Sequence, residues 1–291
     1  MTDGLTLHEP LPQLTDPILV VMLTGWIDAS TAAANAMATL HQECSTRVLA
    51  TFDPDAFIDY RARRPTMELR DGVNTRLVWS EIELGVGRDL DGRDVLTLSG
   101  PEPDSQWRRF ASSVASLAGQ LGVTSMVALG AYPFASPHTR PARLSCSSPS
   151  AEVVAGVPYL KNSVDVPAGM GAVLEHALTD VGISALGLWV QVPHYVSTMV
   201  HPEASVALID GLQQVAGVRV AAANLRQEAI RQRTRLDDLV AGNDEHGAMV
   251  RQLEEVYDTS AQQTLSLGNA QIPSGDELAA ELERFLREQD N

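Results

Sequence analysis

The sequence predicts an α/β fold with a mixed, mostly parallel sheet flanked by helices, followed by a C-terminal helical hairpin. Apolar runs of strand length alternate with helical patterns up to Val215, which indicates crossover connections between parallel strands. The turn pairs Asp71-Gly72 and Asp91-Gly92 favour hairpins, so one part of the sheet is expected to be antiparallel. After Gly217 the composition changes to charged helical segments.

The first half of the chain begins with a β-then-α unit. Residues 18–23 form a continuous apolar run of strand length, and residues 29–41 are rich in good helix formers. Further strands are predicted at residues 47–52, 77–84 and 94–98.

Beyond the last of these strands, helices and strands alternate regularly. Pro103-Asp104-Ser105 opens a predicted helix that runs to Leu121 with apolar residues at helical spacing. The segment 145–150 has the composition of a flexible loop, in which Cys146 is expected to be an ordinary free thiol. The remaining elements are expected to be a strand at 124–131, a helix at 171–179, a strand at 185–192 and a helix at 202–215.

The C-terminal part is predicted to be helical. Residues 218–240 and 246–264 are rich in Arg, Glu and Gln, and Gly242-Asn243-Asp244 between them provides a break and an N-cap, which is typical of an antiparallel helical hairpin. Ser274 and Glu277 have the spacing of a capping box and predict a final short helix. We therefore expect an α/β domain at residues 1–216 and a helical extension at 217–291.

Composition and charge limit the classes of partner and the location. The chain has 291 residues, 21 Lys and Arg against 37 Asp and Glu, and a formal charge of −16, so nucleic acids and anionic membranes would be repelled. No apolar run approaches the roughly 20 residues that span a bilayer, and the N-terminus lacks the pattern of a secretory signal. A cytoplasmic location with no nucleic-acid or membrane partner is expected.

Candidate functional residues follow the predicted strands. Asp28, His138, Arg140 and His194 all lie in such turns, and the carboxyl ends of strands are where open α/β sheets bind ligands. If they converge, the carboxylate and imidazoles suit acid–base work and the guanidinium suits an anion. Structural roles remain open for the same residues: an N-cap for Asp28, a rigid turn for His138, and an interface for His194 with Tyr195.

Motifs for metals, cofactors and serine nucleophiles are missing from the sequence. There is no H-E-x-x-H or paired C-x-x-C pattern, so no metal site is predicted. Gly169-Met170-Gly171 lacks the third glycine of a dinucleotide fingerprint, since Leu174 stands in its place, and an ordinary helix entry is expected there. No Walker-type or G-x-S-x-G motif occurs, and no cofactor is predicted.

Four motifs in order resemble the proteasome assembly chaperone 2 family in its actinobacterial branch. They are Gly25–Ala29, Gly100–Asp104 with Trp107, Pro137–Pro141 and Leu188–Val196, and the resemblance covers roughly residues 17 to 215. It implies a phosphorylase/hydrolase-like α/β fold, a homo-oligomer with a trimer as the first expectation, and a proteasome-related protein partner. The resemblance implies no known reaction.

The chain departs from the family pattern at two places. It ends Arg287-Glu288-Gln289-Asp290-Asn291 and not in the hydrophobic-Tyr-any sequence of chaperones that insert their tail into a proteasome ring. Residues 166–169 read Val-Pro-Ala-Gly where many relatives have a turn similar to Gly-Pro-Thr-Gly. Neither tail insertion nor a retained ligand loop is therefore expected.

Three functional hypotheses follow, and whether the protein is an enzyme stays open, with a non-enzyme favoured. The leading one is a protein-binding, chaperone-like homo-oligomer. The alternative is a small-molecule-binding protein or a hydrolase/phosphorylase-like enzyme with Asp28, His138 and His194 as candidate catalytic residues. Candidate ligand-binding residues are then Trp26, Glu102, Arg140 and Tyr195. A third is a purely structural oligomer with subunit contacts at Trp26, Trp189 and Tyr195.

Overall fold

The computed structural model describes the backbone of residues 4–266 and the side chains of residues 4–260. The strands within that range are β1 (Leu5–Leu7), β2 (Ile18–Thr24), β3 (Arg47–Phe52), β4 (Thr66–Arg70), β5 (Val73–Val78), β6 (Ile82–Arg88), β7 (Asp94–Pro101), β8 (Ser125–Phe134), β9 (Leu144–Ser147) and β10 (Ser184–Pro193). The helices are α1 (Ala32–Glu43), α2 (Pro54–Phe57), α3 (Trp107–Gln120), α4 (Ala151–Ala155), α5 (Met170–Thr179), α6 (Pro202–Ala216), α7 (Ala223–Ala241) and α8 (Asp244–Ser266), and single 3-10 turns occupy Ala29–Thr31 and His194–Val196.

Eight strands form one mixed sheet in the order β1-β3-β6-β7-β2-β8-β10-β9, and β4 and β5 form a separate two-stranded sheet. The neighbours β7, β2, β8 and β10 are parallel, whereas β1, β3, β6 and β9 join through antiparallel pairings. Five of the eight strands consequently run in one direction. The predicted mixed sheet is confirmed.

Helices cover both faces of the large sheet. The helices α1 and α6 pack on one face, where Met37, Leu40 and Leu208 join the apolar residues of β2, β8 and β10. The helices α3 and α5 pack on the other face around Phe110 and Leu174. Apolar side chains alternate between the two faces along each buried strand, which is why the central strands read as continuous apolar runs.

The predicted strand at residues 77–84 is wrong. The chain leaves the small sheet at Val78 and enters the large sheet at Ile82, so the predicted segment joins the end of β5 to the start of β6. Residues 77–79 are all apolar and residues 80–81 are both polar, so strict alternation is already interrupted at this junction. Both predicted hairpins are present, β4–β5 at Asp71-Gly72 and β6–β7 at Asp91-Gly92.

The predicted flexible loop around Cys146 is also wrong. Residues 144–147 form the edge strand β9, antiparallel to β10, with Cys146 opposite Leu188. The composition, rich in Ser, favours a loop locally, but pairing with the last central strand overrides that preference. Cys146 is buried, and burial raises the pKa of its thiol, so the thiolate is disfavoured.

The predicted C-terminal hairpin is present as α7 and α8. The Asn243 side chain accepts hydrogen bonds from the backbone N–H groups of Glu245 and His246, as expected of a helix N-cap. The final helix predicted from Ser274 lies outside the described residues, and the division at residues 216/217 stays a prediction. None of the helices within residues 4–266 is long and apolar enough to cross a membrane.

Candidate functional site

The turns that follow β2, β8 and β10 meet at one edge of the sheet. The backbone N–H of Ser30 donates to the Ser197 carbonyl at 2.8 Å, and the Ser30 hydroxyl donates to the Val196 carbonyl at 2.9 Å. The backbone N–H of His138 donates to the Tyr195 hydroxyl oxygen at 2.7 Å. The three turns therefore form one rim, as their positions after parallel strands predict.

His138 is buried between two polar partners. The residue is 1% exposed, with Nδ1 2.6 Å from the Tyr195 hydroxyl and Nε2 3.2 Å from Oδ1 of Asp237 on α7. Because the Tyr195 oxygen already accepts the His138 amide, its O–H is available to donate to Nδ1, and Nε2–H then donates to Asp237. Burial lowers the pKa of His138 and Asp237 opposes that shift, so the neutral imidazole is favoured.

Arg140 joins the rim to α8. Its Nε and Nη2 donate to the two carboxylate oxygens of Asp258 at 2.9 and 2.8 Å, and its Nη1 donates to Glu254 at 2.9 Å. The Thr139 hydroxyl donates to the same Glu254 oxygen. These charged hydrogen bonds hold the pKa of Asp258 below its ordinary value.

Arg143 adds a second connection to α8. Its guanidinium lies 3.6 Å from the centroid of the Tyr257 ring and donates to the Tyr257 carbonyl at 2.7 Å. The Tyr257 hydroxyl donates back to the Pro141 carbonyl at 3.0 Å. We call residues 137–143 the anchor segment, because its side chains and backbone fix the helical hairpin to the rim.

Asp28, in the turn after β2, caps the N-terminus of α1. Its two carboxylate oxygens accept the backbone N–H groups of Ala33 and Ala34 at 2.8 and 3.0 Å, in the first turn of α1. These bonds satisfy donors that a helix start otherwise leaves unpaired. Burial raises the pKa of Asp28 more than the backbone bonds lower it.

His194 reaches the rim from the other side of Tyr195. The Tyr195 ring makes edge contacts with both imidazoles, at centroid distances of 5.8 Å to His138 and 5.4 Å to His194. The His194 side chain is exposed, and no hydrogen bond links its ring to the described part of the chain. Tyr195 therefore separates the two histidines, and they share no direct hydrogen bond.

Trp26 and Glu102 belong to a second group on the same edge. Together with Trp189 they line a small cavity of about 40 Å³ in front of α5. Glu102 accepts the backbone N–H of Met170 and so occupies the position at the helix start that would suit an anionic ligand. A Cβ at Gly169 would lie 2.9 Å from the Trp26 ring, so the glycine permits this close packing.

The comparisons with known proteins assign the family. The model of the PAC2 family matches residues 22–240, which include the rim, the anchor segment and most of α7. The chain belongs to the PAC2 family.

Solved structures similar to this PAC2 chain include actinobacterial proteins. A Corynebacterium glutamicum protein of unknown function is 30% identical, with a TM-score of 0.83 over 89% of this chain and 98% of that one. A Mycobacterium tuberculosis proteasome-assembly chaperone homologue is 31% identical, with a TM-score of 0.74 over 80% and 99% of the two chains. An archaeal proteasome activator from Pyrococcus furiosus, 15% identical with a TM-score of 0.61 over 81% and 97%, shares the fold. A search of curated proteins found no significant match.

Sequence reasoning missed the acidic partners of the anchor segment in this PAC2 chain. Asp237, Glu254 and Asp258 were not among the predicted site residues, although Glu254 and Asp258 stand four apart and so share one face of α8. The sequence signal for this contact was the pair of acidic residues four positions apart, which could bind a basic residue such as Arg140. Within the described range, no group of three His, Cys, Asp or Glu side chains is placed to hold a metal ion.

Proposed function

We propose that this PAC2 protein is a chaperone-like, protein-binding homo-oligomer with a proteasome-related partner. Its family and its similarity to the mycobacterial proteasome-assembly chaperone homologue support the chaperone-like role. The proteasome-related partner rests on the same similarity, and the oligomer rests on a surface feature of this chain. The observation that carries the proposal is an exposed apolar face on the hairpin β4–β5.

The hairpin β4–β5, residues 66–78, projects as an independent two-stranded sheet that we call the β-arm. By its register, Met67, Leu69 and Leu77 share one face, and they are 50%, 49% and 43% exposed. The opposite face carries the ion pair of Glu68 and Arg76. An isolated two-stranded hairpin is marginally stable in water, so an apolar face of this kind is typical of a surface that is covered by another chain.

Charge favours a second copy of the protein as that other chain. Residues 61–64, directly before the β-arm, contain three arginines and no acidic residue, and the β-arm itself is neutral, whereas the whole chain has a formal charge of −16. A basic segment at the base of the arm is attracted to the acidic surface of another copy. If the arm of each copy docks on a different surface of the next, the contact is heterologous, and closure after three copies gives the expected trimer.

Two substitutions on opposite faces of the β-arm test this proposal. Leu77→Glu places a charge on the apolar face and is expected to shift the wild-type trimer to monomer in sedimentation-velocity experiments. Val73→Glu, at a position that is 61% exposed on the other face, is the matched control and should leave the trimer intact. A monomeric wild-type protein, or equal effects of the two substitutions, would contradict the proposal.

The proteasome-related partner requires a separate experiment. The tagged full chain is crosslinked in the cytosol of its own organism, and the captured proteins are quantified by mass spectrometry. Enrichment of proteasome subunits over a tagged control of similar charge is the expected result. Recovery of only the protein itself would reject this partner while leaving the oligomer proposal to the sedimentation data.

The catalytic alternative has weaker support from the geometry of the rim. An acid–base site needs side chains that can form hydrogen bonds with a substrate. His138, Arg140 and Asp28 instead form hydrogen bonds with the helices α7, α8 and α1. His194 alone of the catalytic candidates faces solvent. This distribution favours structural roles for the rim and supports the protein-binding proposal.

A further inference from the structure

A second, larger cavity lies on the opposite flank of α1 from the anchor segment. It has a volume of about 440 Å³ and lies between the C-terminal half of α1 and strands β3, β6 and β7. The sheet order places these strands on one side of β2, whereas α6 and the rim turns of β8 and β10 lie on the other side. Its polar lining residues are His41, Gln42, Thr46, Arg47, Glu83, Thr97 and Ser99.

Two buried polar atoms in this cavity have no partner among the described residues. Thr97 is 0% exposed, and its Oγ1 makes no hydrogen bond within the described protein. The same is true of Nε2 of His41, which is buried although the residue as a whole is half-buried. Buried polar groups are nearly always hydrogen-bonded, so two orphaned groups lining one cavity indicate a partner that enters it.

Strand register determines which polar side chains share the cavity floor. Thr97 stands opposite Gly85 across β6 and β7, and a Cβ at Gly85 would lie 2.6 Å from the Thr97 hydroxyl. Glu83 and Ser99 form the next pair on the same face, because side chains two residues apart point the same way. The Thr97 hydroxyl therefore occupies the space that a side chain at residue 85 would fill, and it lies beside Ser99 on the cavity floor.

The electrostatics of the cavity favour a neutral ligand. Arg47 is already paired with Glu9 at 2.7 Å. Burial raises the pKa of Glu83, and neighbouring Glu81 adds to that effect. Burial lowers the pKa of His41, which favours its neutral imidazole. Thr97, Ser99 and His41 thus offer neutral donors and acceptors in a volume within the range of about 300–1,000 Å³ typical of ligand pockets.

We propose that this cavity binds a small, neutral, hydroxyl-rich molecule of the polyol or sugar class. The Thr97 hydroxyl and Nε2 of His41 hydrogen-bond its hydroxyl groups, and Ser99 and Glu83 receive its further hydroxyls. The ligand satisfies the two orphaned atoms. This site is independent of the anchor segment and of the β-arm.

The test uses the full chain and three named probes. D-Glucose, myo-inositol and D-mannitol are titrated separately, and the imidazole signals are followed by ¹⁵N-edited NMR, with His41→Gln assigning the His41 signals. A saturable shift of the His41 signals with at least one probe is expected. Thr97→Val removes the hydroxyl at constant shape and should weaken binding by about tenfold.

A matched control separates the cavity from general effects of removing a hydroxyl. Thr179 on α5 also has a buried hydroxyl that has no partner within residues 4–260, but it does not line this cavity, so Thr179→Val should bind the probe as the wild type does. If Thr97→Val fails to fold, Ser99→Ala replaces it with the same expected direction. No saturable shift with any of the three probes, or equal losses in Thr97→Val and Thr179→Val, would overturn the proposal and leave water as the partner of both atoms.

Discussion

Arg140 and Asp258 form a bidentate ion pair, with Nε–Oδ1 and Nη2–Oδ2 distances of 2.9 and 2.8 Å, although 118 residues separate them in the chain. The planar guanidinium matches the carboxylate geometry, so the pair fixes orientation as well as distance. Few apolar side chains of α8 are buried: within residues 244–260, Val250 is the one apolar residue that is buried. Polar geometry therefore sets much of the position of α8.

Replacing Arg140 by Lys is expected to loosen α8 selectively. Lysine retains the charge but loses the two parallel hydrogen bonds, so amide hydrogen exchange in α8 should accelerate several-fold while that of α1 is unchanged. Arg226→Lys is the matched control, because Arg226 makes a similar paired contact with Asp210 between α6 and α7. Unchanged exchange in α8 of Arg140→Lys would show that apolar packing alone positions this helix.

The buried His138 predicts a loss of stability on acidification. Its folded-state pKa lies below the ordinary value of 6.5, so its contribution is fully present above about pH 6.5 and is lost as pH falls through the lowered pKa. Urea denaturation from pH 8 to 5 should show the stability advantage of the wild type over His138→Gln shrinking as pH falls. An advantage that grows on acidification would mean that Asp237 outweighs burial and raises the pKa.

Glu175 predicts the opposite dependence on pH. This carboxyl is 4% exposed, accepts a hydrogen bond from Ser147 at 3.0 Å, and has a pKa raised to about 7 by burial. A raised folded-state pKa gives stability that is complete below about pH 4 and is lost as pH rises through 7. Glu175→Gln should therefore increase the free energy of unfolding by about 2–3 kcal/mol at pH 8 and by little at pH 4. A constant difference between wild type and variant at both pH values would refute the shifted pKa.

Gly130 predicts a steric effect on the sheet. It stands opposite Trp189 across β8 and β10, and a Cβ at this position would overlap the indole ring. Gly130→Ala should lower the free energy of unfolding by about 1–3 kcal/mol. Gly119→Ala, in α3 where a Cβ meets nothing within 4 Å, should raise it by about 0.5–1 kcal/mol. Chemical denaturation of both variants measures the contrast.

The sequence predicted most of the fold because apolar periodicity and turn chemistry are local. The strand at residues 18–23 and the hairpin turn Asp91-Gly92 are where the pattern predicts them. The edge strands β1 and β9 were missed, since their short segments gain strand structure only by pairing with β3 and β10. Pairing partners of that kind lie far away in the chain and leave no local pattern.

The candidate site was predictable in position but not in detail. Asp28, His138 and His194 lie on one rim because their turns follow parallel strands, which the sequence shows. The ion pair of Arg140 with Asp258 depends on how the helical hairpin folds back over the rim, and helix period does not determine that direction. The place of Thr97 in the cavity floor depends on the strand register that sets it opposite Gly85. The predicted hairpin turn did not specify that register.

The long separation between the anchor segment and α8 also orders events during synthesis. At a translation speed of roughly 5–20 residues per second, Asp258 is made about 6–24 s after Arg140, from which it is 118 positions distant. Tyr195 and Asp237, the partners of His138, are made within that interval. Arg140 and Arg143 wait longer, until Glu254, Tyr257 and Asp258 of α8 have been made, so the contacts between the anchor segment and α8 are the last of the rim contacts that can form.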